Sequence, residues 1–152
     1  MASLILAIAL ALQINTVPAT LAPPPEVQAK VKPILDLCEK AQATQGERQN
    51  EALYQAEKLI GGLFEDKTKP SDEALVVLMD FYIGESTGGD LLHQITVRGK
   101  RMLPLLIKYR DVRVVFPEKE YPSSILLTPD VRRENFDDAI KSVRTGKILG
   151  ED

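Results

Sequence analysis

The sequence predicts a mainly α-helical fold, a single compact domain of five to six helices in antiparallel pairs. Three observations lead there. Apolar residues recur at three- and four-residue steps through most of the chain. Prolines and glycines fall between these periodic stretches, where helices start and stop. β-prone residues concentrate in two short segments, Val112–Phe116 and Ser124–Leu127, which suggest a short β-hairpin or an extended arm before the last helix.

The chain of 152 residues opens on the apolar run Leu4–Leu12. Nine helical residues span about 14 Å at ~1.5 Å each, and a bilayer core is about 30 Å thick. The run is too short to cross alone and fits the apolar part of a secretory signal. Val17-Pro18-Ala19 places small residues where a processing enzyme cuts, so residues 1–19 are read as a signal peptide. Met1-Ala2-Ser3 lacks Lys and Arg, which keeps an uncleaved anchor over residues 4–22, or an N-terminal helix of a cytosolic protein, as alternatives. Export makes the expected location periplasmic or extracellular. Residues 20–25, containing Pro23-Pro24-Pro25, are expected to be a stiff spacer. Residues 26–146 follow as the helical domain and 147–152 as a loose tail.

The first helical stripe is Val27, Val31, Ile34, Leu35, Cys38 and Ala41, running to about Gln45 with Pro33 inside it. The second begins near Glu47 and carries Leu53, Ala56, Leu59, Ile60, Leu63 and Phe64. Lys69-Pro70-Ser71-Asp72-Glu73 marks a restart, with Ser71 as cap and acids at the positive end of the helix dipole. The expected helix Asp72–Ile83 is apolar nearly all round, as in a central buried helix. Gly84 stops it, Glu85–Gly89 reads as a turn, and Asp90 caps the fourth helix. Pro104 lies in the seam of that helix, so a break is expected around Gly99–Leu103. Thr128 and Pro129 open the last helix, whose stripe is Phe136, Ala139, Ile140 and Val143 before Gly146. The two pairs, residues 27–64 and 72–109, are spaced like helical-hairpin repeats but share no consensus.

Candidate chemistry is thin. The single Cys38 lies on an apolar stripe, where a thiol is inert, and one cysteine cannot form an internal disulfide. His93 is the only histidine; one His and one Cys are too few for a structural zinc site, and no motif calls for a cofactor. Asp80 and Glu85 are the acids to consider for a small carboxylate-dependent hydrolase. Asp80, set in an apolar helix, needs a buried partner, and the arginines at 98 and 101 are the nearest candidates.

Charge is unevenly divided. Residues 26–90 hold 13 acids and 7 bases, a balance of −6, and residues 91–152 hold 9 acids and 12 bases, a balance of +3. Arg98, Lys100 and Arg101 head the basic cluster and are the expected partner-binding residues. The competing explanation is that these bases neutralise the acidic first half inside the fold. An acidic pI near 5.3 and few aromatics argue against nucleic acid, and membrane contact is expected only through an uncleaved leader. The functional expectation is a non-enzymatic, exported protein-binding module. Its alternatives are a periplasmic inhibitor or immunity-type protein, and the hydrolase.

Overall fold

The computed structural model describes residues 19–149. The expected leader lies outside the described residues except for Ala19. Six α-helices and a two-stranded sheet make up the domain, in the order β1 (Ala19–Leu21), α1 (Pro25–Ala43), α2 (Glu47–Glu65), α3 (Lys69–Leu78), α4 (Glu85–Arg98), α5 (Leu103–Arg110), β2 (Val112–Val114) and α6 (Pro129–Thr145). Short 3₁₀ turns occupy Gly99–Met102 and Ser123–Ile125. The mainly helical, single-domain expectation is met. None of these helices is long and apolar enough to cross a membrane.

Helices α1 and α2 form an antiparallel hairpin across the short Thr44–Gly46 connection. The α1 stripe is buried as expected, but α2 buries Ala52, Ala56, Ile60 and Leu63, and Leu53 and Leu59 of its expected stripe are exposed. Helix α3 lies on α1 and is buried on almost every side, as its all-round apolar sequence requires. The core is continuous from Val31, Ile34 and Leu35 through Leu75, Leu78 and Ile95 to Leu106, Tyr109 and Phe136. Pro104 acts as expected. The fourth helix ends at Arg98, turns at Gly99 with φ +78°, passes through one 3₁₀ turn and restarts with Pro104 in its first turn. A side chain at 99 would be strained in that left-handed conformation.

Ser71 is not the cap of α3: the helix opens at Lys69 after Thr68, and Ser71 is buried in its first turn, donating to Asp66. Four further expectations are corrected. The segment 20–25 is not a free spacer: Ala19–Leu21 pairs in parallel with Val112–Val114, Pro23 is buried, and Pro25 already belongs to α1. The β-hairpin does not form, because β2 takes β1 as its partner and Ser123–Ile125 is a 3₁₀ turn. Helix α3 stops at Leu78 and not Ile83. Its last turn tightens, the Phe81 N–H reaching the Leu78 carbonyl, and the chain then runs extended beside 125–127. There the Tyr82 N–H donates to Ile125 O at 2.8 Å and the Leu127 N–H to Asp80 O at 3.0 Å. Apolar Phe81 and Ile83 carry no sequence trace of this change, since both states bury them. Fourth, Glu85–Gly89 is the first turn of α4 and not a loop; Gly84, at φ +100°, makes the corner, and the Gly88 N–H closes the turn on its carbonyl.

The stretch between β2 and α6 is strapped to α1. Lys119 bridges Asp36 and Glu39, the Tyr121 hydroxyl donates to Asp36, and Gln42 donates to the Ser124 carbonyl. Beneath the strap, Phe81, Phe116 and Tyr121 pack as a trio with centroids 5.5–6.2 Å apart. The expected loose tail is held at its start: His93 Nδ1 meets Leu149 O at 2.8 Å, and the Leu149 N–H donates to the Thr96 hydroxyl. Residues 150–152 lie outside the described residues.

Candidate functional site

The sequence-predicted residues separate into buried and exposed positions. Arg98, at the end of α4, has a side chain only 1% exposed. It donates to Asp72 at 2.5 Å and to the carbonyls of Leu63 at 2.7 Å and Phe64 at 3.1 Å. Helix α2 has no basic residue in its own last turn; Arg98, together with Lys67, whose ammonium donates to the Phe64 carbonyl at 2.7 Å, supplies the positive charge that its carbonyl end attracts. Arg101 reaches the same Asp72 carboxylate at 2.9 Å with its side chain half exposed. Lys100 is exposed on the intervening 3₁₀ turn. Arg98, Lys100 and Arg101 therefore do not form one open face. Arg98 is a structural residue, and this part of the basic cluster neutralises Asp72 within the fold.

Asp80 is buried, but neither Arg98 nor Arg101 is its partner. Arg132, from the first turn of α6, donates to it at 2.7 Å, and the Val114 N–H adds a bond at 3.0 Å. Burial pushes the Asp80 carboxyl above its ordinary range, while the Arg132 charge and the Val114 N–H pull it down. The remaining Arg132 donors reach the carbonyls of Tyr109, Arg110 and Val112. One guanidinium thus joins the end of α5, the start of β2 and the end of α3. Glu85 is exposed and lines a different cavity from Asp80. The two acids line separate cavities and do not form a facing pair, and each Asp80 carboxylate oxygen accepts one structural hydrogen bond.

Cys38 sits in the core at 6% exposure, and burial raises its thiol to about 11. At neutral pH it is a thiol and not a thiolate. A thiol reagent such as DTNB should therefore label the native protein far more slowly than the urea-unfolded chain. Equal rates would place Cys38 outside the core. The His93 ring, half-buried and fixed to Leu149 O, meets no nucleophile or carboxylate within hydrogen-bonding distance among the described residues. No cluster of three potential metal ligands occurs among the described residues.

What the surface does offer is a groove of about 570 Å³ beside the corner that ends α3. Its walls are the extended residues Phe81–Ile83, the first turns of α4 and the stretch from Ser124 to Val131. Tyr82 and Val131 stand at its rim, 46% and 43% exposed, while Leu91 and Phe81 form its floor. Ser124, Thr128 and Asn135 place a few polar groups around this apolar lining, a composition typical of sites that hold apolar ligands.

Sequence reasoning missed Arg132 and this groove. The signal for Arg132 was present: it falls four residues before Phe136, so it continues the buried stripe of α6. The signal for the groove was weaker. Val131 lies five residues from Phe136, about 140° around the helix, and is an apolar residue off the stripe.

Comparison of the chain with protein-family models, with curated proteins and with solved structures finds no match in any of the three.

Proposed function

We propose that the protein is a non-enzymatic binding module, and that the groove beside the α3–α4 corner takes an apolar segment of a partner protein. The groove carries this reading: a concave, mainly apolar surface rimmed by exposed Tyr82 and Val131 gains free energy by being covered, about 25 cal/mol per Å² of apolar area. The engagement of Asp80, Cys38 and His93 in the fold supports it, since each is held by structural contacts. Export through residues 1–19 remains part of the proposal, resting on the leader sequence.

The test is selection of displayed peptides on the full chain. Enriched peptides should carry two or more large apolar residues, and Val131→Glu should weaken them at least tenfold while leaving the melting temperature unchanged. Selection that yields no such peptides, or peptides indifferent to Val131→Glu, would overturn this reading.

A further inference from the structure

A second concavity lies away from the apolar groove, between α5 and α6, with a volume of about 530 Å³. Ile140 forms its floor, and Ile107, 51% exposed, stands on one wall. Around these two apolar residues are Arg110, Lys141 and Arg144, with Asp137 as the one acid of the lining. Asp137 accepts from Arg110 Nε at 2.8 Å. Lys141 and Arg144 are exposed and enter no ion pair among the described residues. Most of the other bases in the second half of the chain have internal partners: Arg98 and Arg101 on Asp72, Lys108 on Glu73, Arg132 on Asp80. The excess of bases over acids in that half therefore surfaces in part here.

We propose that the α5–α6 groove is a second docking surface, and that its occupant is an acidic segment of a protein partner in which carboxylates flank an apolar side chain. The apolar side chain seats against Ile107 and Ile140, and the carboxylates meet Lys141 and Arg144. Arg110 contributes less, because Asp137 and Asp111 already neutralise it. A protein segment fits better than an anionic lipid surface. The apolar floor lies in a cleft between two helices, which a side chain can enter. The Asp111 and Asp137 carboxylates beside Arg110 would face a uniform sheet of phosphates with like charge.

The experiment titrates the full chain, labelled with ¹⁵N, with a synthetic peptide of alternating glutamate and leucine. A control peptide carries glutamine in place of each glutamate. The acidic peptide should shift the amides of Ile107, Ile140, Lys141 and Arg144, and the control should not. Raising salt from 0.15 M to 1 M contracts the screening length from about 8 Å to about 3 Å and should weaken binding at least threefold. Lys141→Glu combined with Arg144→Glu should weaken it at least tenfold, with the melting temperature retained. Val131→Glu should leave it intact, which separates this surface from the apolar groove. No shifts at millimolar peptide, shifts centred elsewhere, or binding indifferent to the double charge reversal would overturn the proposal. So would sedimentation with phosphatidylglycerol vesicles, abolished by that reversal, if the acidic peptide does not bind.

Discussion

Replacing Arg132 with methionine is expected to destabilise the protein by about 3–5 kcal/mol, the range for breaking a buried ion pair by removing one partner. The loss has two parts. Asp80 would remain 4% exposed on its side chain with only the Val114 N–H to hold it. The carbonyls of Tyr109, Arg110 and Val112 would each lose a charged donor, and a buried polar group left without a partner costs about 1–3 kcal/mol. Methionine keeps the packing of the stem on Phe136, which the guanidinium now covers at 4.5 Å from the ring centre. Urea denaturation measures the change. Lysine at this position should recover only part of it, since one ammonium cannot reach acceptors arranged for a planar fork. Adding Asp80→Leu to Arg132→Met removes the stranded charge but not the stranded carbonyls. The double variant should therefore lie between the single variant and the parent. A single variant within about 1 kcal/mol of the parent would show that Arg132 is not the junction between α3, α5 and β2.

Much of this junction was hidden from sequence for a physical reason. Periodicity reports which residues are covered, and it placed the α1 stripe, the buried character of α3 and the break at Gly99–Leu103 correctly. For α2 it held only at Ala56, Ile60 and Leu63: the covered face runs through Ala52, and Leu53 and Leu59 stand in solvent. It does not report how a covered backbone is hydrogen-bonded. Phe81 and Ile83 are buried equally well in a helix or in an extended bridge, so the end of α3 could not be placed. The parallel pairing of Ala19–Leu21 with Val112–Val114 joins segments more than 90 residues apart in the chain, and nothing local to either announces the other. Charge was misleading in a similar way. Composition located the basic half, but only side-chain geometry separates Arg98, turned inward, from Lys141 and Arg144, which stay on the surface.

Arg98→Met is expected to cost about 3 kcal/mol, the lower end of the range for a broken buried pair. Arg101 stays within 2.9 Å of Asp72 and compensates part of the lost charge, which places this variant below Arg132→Met. What Arg101 does not replace is the bond from Arg98 to the Leu63 carbonyl; the Phe64 carbonyl keeps the Lys67 ammonium at 2.7 Å. Amide exchange should therefore quicken first in the last turn of α2, at Leu63–Glu65, and only then across the core. Charge reversal at the same site is a different perturbation. Arg98→Glu would set a second carboxylate against buried Asp72, and it should leave a large unfolded fraction at room temperature. Loss of any partner in that variant would report unfolding and not a contact. Lys100→Glu, two residues on and exposed, is the clean probe of the same surface and should shift stability by less than about 0.5 kcal/mol. If Arg98→Met instead melts with the parent and α2 exchanges no faster, the guanidinium is not what ties the end of α2 to α3. The assignment of Arg98 to the fold would then fail.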